Sequence, residues 1–320
     1  MKSKLKQHWF FIGLILIFVL TILDFPKDFV TLGQFLKNNH GPDCVIIFIF
    51  FFSGLTLDFR KISAGFKDVK SLFAALGLIF IAAPMAAVCF SILPVGVDVL
   101  TGIFIVSAMP TTLSSGVVMT GKAGGNVANA LLITIIAGII AVFTVPFTIE
   151  LLLQFTGDTA VVIINKSNMI FKIAVFVLCP LLVGMSIRFF ARTFFERNEK
   201  KFMLSNQVFV LAMIWMAVSQ AKVVIIENSG NLPLIVILVF LFHSILLAAA
   251  FLLSNVLKLE SGKKESVLFM GGQKTLPLAV IIQITFFSQY PVALVVCVLH
   301  HAVHLVMDSY IAGRMEMAKR

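Results

Sequence analysis

Apolar residues in this chain run in continuous stretches rather than alternating with polar ones. Ten windows stand out, at approximately 8–25, 43–58, 71–93, 98–120, 126–153, 168–190, 203–221, 232–257, 266–288 and 291–312. Each is close to the roughly 20 apolar residues that a helix needs to cross hydrocarbon. Unbroken apolar runs at this length predict membrane-spanning helices and argue against an outer-membrane barrel, whose strands alternate. Short polar connectors separate the windows, leaving no stretch for an attached soluble domain. The predicted architecture is an all-α polytopic membrane protein of ten spans.

Composition sharpens this. Of 320 residues, 60% are apolar and 12% charged, about half the charged share of a soluble domain. A soluble globule of this size has no interior for so much apolar surface, so a soluble enzyme, a disordered chain and a nucleic-acid binder are excluded. The net charge of +10 follows from topology. With the N-terminus cytoplasmic, 19 Lys and Arg fall on the inner side, four on the outer side and two, Lys172 and Lys274, within spans. That imbalance predicts both termini in the cytoplasm of a plasma-membrane protein. The first span follows Lys2, Lys4 and Lys6 but ends at Asp24-Phe25-Pro26-Lys27 without a small-residue cleavage site, and reads as uncleaved. Cys44, Cys89, Cys179 and Cys297 lie in separate apolar runs and read as buried hydrophobes.

A shift of about 161 residues lays the first five spans on the last five, which predicts two repeats, 1–160 and 161–320, within one membrane domain. Because five is odd, the second repeat enters the bilayer from the opposite side, as in many secondary transporters. The fourth and ninth spans are both interrupted, by Met109-Pro110-Thr111-Thr112-Leu113-Ser114-Ser115-Gly116 and by Gly271-Gly272-Gln273-Lys274-Thr275-Leu276-Pro277. Pro removes an amide donor and Gly weakens the helix. Unwound backbone at membrane depth is tolerated only along a cavity, so the paired breaks mark the expected transport site.

Lys274 is the one charge near the middle of a span. A lone ammonium there costs at least ~2.5–3.5 kcal/mol, so it should face a cavity or a partner. Glu150 and Asp308 read as too close to span ends to supply one. Lys274 would then hold an anionic substrate, exchange a proton, or act as a built-in cation. Thr111, Thr112, Ser114, Ser115, Thr134, Gln273 and Thr275 offer neutral oxygens suited to a weakly held alkali cation or a substrate hydroxyl, not to a transition metal. His300, His304 and Asp308 share a stripe on the tenth span, with His301 beside it. That stripe could relay protons, though packing against the broken helices accounts for it as well. His243 reads as structural, and no metal site or cofactor box is predicted.

Three pieces carry a family resemblance: Phe52-Ser53-Gly54-Leu55-Thr56-Leu57, the stretch from Met109-Pro110-Thr111-Thr112 to Gly125-Asn126-Val127-Ala128, and Gly272-Gln273-Lys274-Thr275-Leu276-Pro277. The chain resembles the bile acid:sodium symporter superfamily, in particular its SBF-like branch. The resemblance implies a panel of spans 1, 2, 6 and 7 and a core of spans 3–5 and 8–10. Broken spans 4 and 9 would cross in the core. It also implies sodium sites built on a Ser-Asn pair, a Thr and a shared Glu, with Gln residues from spans three and nine. Ser114, Ser115, Thr134 and Gln273 fall at or beside such positions, while Phe269 stands at the Glu position, Ile79 at one Gln and Lys274 at an Asn. An ammonium ~4 Å from a sodium ion would repel it by about 4 kcal/mol at an effective dielectric near 20. Lys274 is therefore expected to replace one cation, leaving at most one sodium or proton to couple.

The expected function is a secondary active carrier for a small organic anion or amphipath, working by alternating access. The partners it implies are lipid and that solute. A cation/proton antiporter using Lys274 and the span-ten histidines is the alternative within transport. An intramembrane enzyme or a non-transporting regulator is the alternative outside it. Ser53 or Gln220 of the panel would tune the substrate.

Overall fold

The computed structural model describes residues 2–57, 65, 68–157, 165–227 and 229–319. The boundary expected at 160/161 lies outside the described residues, as do the side chains of Lys2, Lys4 and Lys6, the placement of Arg60, Lys61 and Lys67, and that of Arg320. Among the described residues the chain is all helical. Seven helices are long and apolar enough to cross a membrane, and three shorter apolar ones cover Ile12–Leu23, Gly41–Thr56 and Val97–Ala108. The chain is thus a multi-pass membrane protein.

The first helices are α1 (Lys2–Leu23), α2 (Phe29–Asn38) and α3 (Gly41–Thr56). The short α2 corrects the expectation of a bare loop between the first two spans; its Val30 and Gly33 are buried. Next comes a segment built from α4 (Val69–Gly77), a π-turn (Leu78–Ala82) and α5 (Ala83–Cys89). The π-turn has a local cause. Pro84 lacks an N–H and its ring would collide with the carbonyl one turn back, so the helix widens ahead of it. The same pairing recurs where α9 (Lys166–Ile173) meets α10 (Cys179–Phe190) through a π-turn at Ala174–Leu178, ahead of Pro180.

Two helices are interrupted where Gly, Pro and polar residues cluster. One is split into α6 (Val97–Ala108) and α7 (Ser115–Lys122), the other into α13 (Lys263–Gly272) and α14 (Leu276–Phe286). Between them run α8 (Val127–Leu153), α11 (Arg192–Glu227) and α12 (Leu232–Val256), and the chain closes with α15 (Pro291–Ala318). At 36 residues, α11 measures about 54 Å against ~30 Å of hydrocarbon. It therefore carries Arg192, Arg197, Lys200 and Lys201, expected in a loop, out of the bilayer on a helix.

Packing falls into two groups. Helix α3 packs on α10 and α11, and α1 and α2 pack on α11. Helix α6 packs on α15, α12 on α13 and α15, and α4 on α13. In the first group Gly54 and Gly184 lie against each other's helix backbone, so that a Cβ on either would overlap a carbonyl oxygen, of Leu181 and of Phe51 respectively. Small residues at such a crossing let van der Waals contact hold helices together in lipid. Gly184→Leu is expected to split α3 from α10 and abolish monodisperse purification, which size-exclusion chromatography reads directly. Arg188, buried at the end of α10, adds a 2.6 Å hydrogen bond to the Leu55 carbonyl.

Candidate functional site

The two interruptions meet. Thr275 N–H donates to the Pro110 carbonyl at 3.0 Å, joining the unwound strands back to back. Thr112 Oγ1 donates to Gln273 Oε1 at 2.6 Å, and these residues are 161 positions apart. Helices α7 and α14 begin at Ser115 and Leu276, the same spacing. Ser115 Oγ lies 2.8 Å from Gln273 Oε1 and 2.9 Å from Thr112 Oγ1, while Gly116 N–H caps onto Thr112 Oγ1 at 2.9 Å. Thr134, on α8, spends its proton on the Ala130 carbonyl and touches the Thr112 carbonyl at 3.5 Å. Thr111 is buried, and its Oγ1 has no hydrogen-bond partner.

Lys274 is buried within this crossover, at 2% exposure. Its Nζ donates to three carbonyls, of Ile79 at 2.9 Å, Ser107 at 2.8 Å and Met109 at 2.9 Å. Each carbonyl is free for a reason legible in the backbone. Ile79 sits in the π-turn, where its partner at i+5 would be Pro84, which has no N–H. Ser107 and Met109 sit at the end of α6, beyond which no helical amide follows. The ammonium thus uses all three donors on backbone oxygens of two other helices. It does not line either cavity described below.

A buried polar row leads away from the crossover. Gln273 Nε2 donates to Asp308 Oδ2 at 2.6 Å, and His243 Nε2 lies 2.9 Å from Asp308 Oδ1. His304 Nδ1 is 3.9 Å from Asp308 Oδ2, and His304 Nε2 is 2.9 Å from His301 Nδ1. The rings of His243 and His300 are 5.7 Å apart, centre to centre. This corrects the placing of Asp308 near a span end. It is wholly buried and joined to the residue beside Lys274. It also gives His243 a carboxylate partner. Among the described residues, no three His, Cys, Asp or Glu come together as a metal site.

A cleft lies between the crossover and the first packing group, with Ser114, Ser115 and Thr275 on one wall and Ser53 and Asn206 on the other. A second, much tighter cavity, lined by Thr111 and Thr134, lies on the far side. Phe50, Leu113 and Thr275 line both and so form the partition. Asn206 was not singled out by sequence. Its Nδ2 donates to Ser53 Oγ at 2.8 Å, while its buried Oδ1 has no partner. The signal was present as Ser205-Asn206-Gln207 inside an apolar helix. Gln220, by contrast, is exposed on the outside of α11. Phe269 is buried against Ala123 and Ala312, away from the cleft.

Comparison with known proteins places the sequence among transporters. The chain is 28% identical over 280 residues to the "Probable sodium/metabolite cotransporter BASS4, chloroplastic" of Arabidopsis thaliana, covering 83% of this chain and 64% of that protein. It is 29% identical over 225 residues to "Sodium/bile acid cotransporter 7-B" of Xenopus laevis, covering 67% of this chain and 62% of the relative. It is 26% identical over 276 residues to "Uncharacterized protein PA2026" of Pseudomonas aeruginosa, covering 83% and 81%. The chain thus spans a little under two thirds of the length of the plant and frog relatives. The model of the SBF-like CPA transporter family matches residues 8–317. With nearly the whole chain matched, this protein belongs to that family, one of transporters and not of enzymes, within the bile acid:sodium symporter superfamily.

Proposed function

We propose that the chain is a secondary active carrier that moves a small organic anion or amphipath by alternating access. The observation that carries this reading is the position of the cleft, between two broken helices and a separate packing group, with a second cavity behind a thin partition. In this reading the molecule has ten spans in two inverted five-helix repeats. The 161-residue spacing of Thr112 and Gln273 supports that symmetry. Helices α1, α3, α9–α10 and α11 form the panel, and the remaining spans form the core. Rocking of core against panel opens the cleft and the far cavity in turn. The uneven Lys and Arg distribution supports cytoplasmic termini, and we assign the protein to the plasma membrane.

Two features favour an anion. The N-terminal ends of α7 and α14 both reach the cleft wall, at Ser115 and at Leu276, and helix N-termini attract negative charge. The rest of the lining pairs apolar surface, from Ile49, Phe50 and Leu276, with the hydrogen-bonding Ser53 and Asn206, which suits an amphipath. Lys274 acts here as a fixed cation in a cage of three carbonyls, in the role of one coupling ion. One sodium ion or one proton then remains to couple, with Thr112, Ser114, Ser115 and Thr134 as the oxygens nearest the cleft and the crossover.

A thermal-shift screen of purified protein against organic anions, with and without sodium, identifies the solute. Uptake of that solute into proteoliposomes under a sodium gradient, then under a pH gradient, tests the function. Accumulation against a gradient is expected; saturable binding without uptake under either gradient contradicts the reading. Phe50→Ala thins the partition and is expected to raise solute leak through the resting protein by about tenfold, a loss of roughly 1.4 kcal/mol of barrier. Efflux from loaded vesicles measures it.

A further inference from the structure

We propose that Asp308 is a proton-binding site reached from the cleft through His301 and His304, and that Gln273 turns its protonation into a change in the hydrogen-bonding character of the cleft wall. This rests on the carrier reading above and names the coupling ion as a proton. The path is a row of buried groups. His301 lines the cleft. Its Nδ1 is hydrogen-bonded to His304 Nε2, and His304 Nδ1 has no hydrogen-bond partner and lies 3.9 Å from Asp308 Oδ2. A shift of about 1 Å brings that last gap to hydrogen-bond length.

One proton crosses in balance. His301 Nε2 takes a proton from cleft water and its Nδ1 proton passes to His304 Nε2. The proton on His304 Nδ1 then passes to Asp308 Oδ2. Both rings end in the opposite tautomer, still joined by the same hydrogen bond, and the net result is one neutral carboxyl. The titratable groups around Asp308 are His243 from α12 and His300, His301 and His304 from its own helix, with the Lys274 ammonium beyond Gln273 and held by carbonyls.

The link to the cleft is the Gln273 amide. With Asp308 ionised, Nε2 faces the carboxylate and Oε1 accepts from Thr112 and Ser115. A protonated Asp308 offers an O–H, which the amide meets by turning its oxygen toward it. Nε2 then faces Thr112 and Ser115, whose oxygens must accept, and their O–H groups turn toward the cleft that both residues line. Proton arrival thereby presents two donors to a solute acceptor.

The test is a pH jump on reconstituted protein adsorbed to a solid-supported membrane, in potassium chloride without sodium or organic solute, so that the proton is the only ligand. Wild type is expected to give a transient charge displacement. Asp308→Asn is expected to give none, and to lack the protonated-carboxyl band that infrared difference spectroscopy shows for wild type. His301→Gln is expected to keep the displacement but slow it at least about tenfold. This variant sits at the cleft wall and carries the test if Asp308→Asn does not reconstitute. No displacement in wild type, an unchanged signal in Asp308→Asn, or wild-type speed in His301→Gln overturns the proposal. The measurement needs no solute, so its failure leaves the uptake test of the carrier reading standing.

Discussion

Lys274→Met is expected to destabilise the protein severely, and Lys274→Ala to make what stability remains depend on sodium. The replacement keeps most of the side-chain volume but removes three donors. The carbonyls of Ile79, Ser107 and Met109 are then left facing one another in a site with 2% exposure. Each buried unpaired acceptor costs about 1–3 kcal/mol, so the loss is on the order of several kcal/mol. It acts where α4, α6 and the α13–α14 break converge. Three convergent carbonyl oxygens are also the ligand type from which ion filters are built. Lys274→Ala, which leaves room as well as oxygens, should therefore bind an alkali ion in the vacated cage. Thermal unfolding in sodium, potassium and choline chloride distinguishes the cases. Wild type should show little difference at this site, and the Ala variant a sodium-dependent rise.

The second large effect is expected at Gln273. Gln273→Leu removes the donor that holds Asp308 Oδ2 and the acceptor shared by Thr112 and Ser115. A buried carboxylate that loses a hydrogen bond is more costly than a neutral group in the same position. Two hydroxyls lose their partner at the same time. We expect a loss of roughly 3 kcal/mol or more, and no solute uptake, because the cleft wall on the core side is no longer fixed. Gln273→Glu should be worse than Gln273→Leu, because it sets two carboxyls against each other and one must be protonated. Thermal unfolding of both variants, with uptake measured in any that reconstitute, gives the order. An uptake rate near wild type in either would show that the Thr112–Gln273–Asp308 row is not part of the site.

The all-helical, multi-pass membrane class was legible because lipid demands long apolar runs and nothing else in a chain of this composition produces them. The two breaks were legible because Gly, Pro and polar residues coincide in each, and their spacing reappears as the Thr112–Gln273 hydrogen bond. Four other features were hidden. The carbonyl cage around Lys274 depends on backbone oxygens, which every residue has. Only the π-turn ahead of Pro84 makes that of Ile79 available, and a Pro within an apolar run is as compatible with a plain kink as with a widened turn. The place of Asp308 was hidden because hydropathy marks where an apolar run fades, not that this buried carboxylate meets Gln273 at the break. In the same way α11 reaches back to Arg192 because charged residues propagate a helix readily once it leaves the hydrocarbon. The pairing of Asn206 with Ser53 across 153 residues follows only from how α3 and α11 pack.

The central claim is that the crossover of the two broken helices separates two alternately opened cavities. Cysteines placed on either side of it, in a background with Cys44, Cys89, Cys179 and Cys297 replaced, test that claim most directly. Ser114→Cys lines the cleft and Thr111→Cys the far cavity. A membrane-impermeant maleimide applied separately to each face of oriented vesicles should reach Ser114→Cys from one face and Thr111→Cys from the other. Locking the cleft open with a cross-link from Asn206→Cys to the core should suppress the labelling of Thr111→Cys. If both positions react from the same face, or label independently of the cross-link, the cavities do not alternate and the account fails.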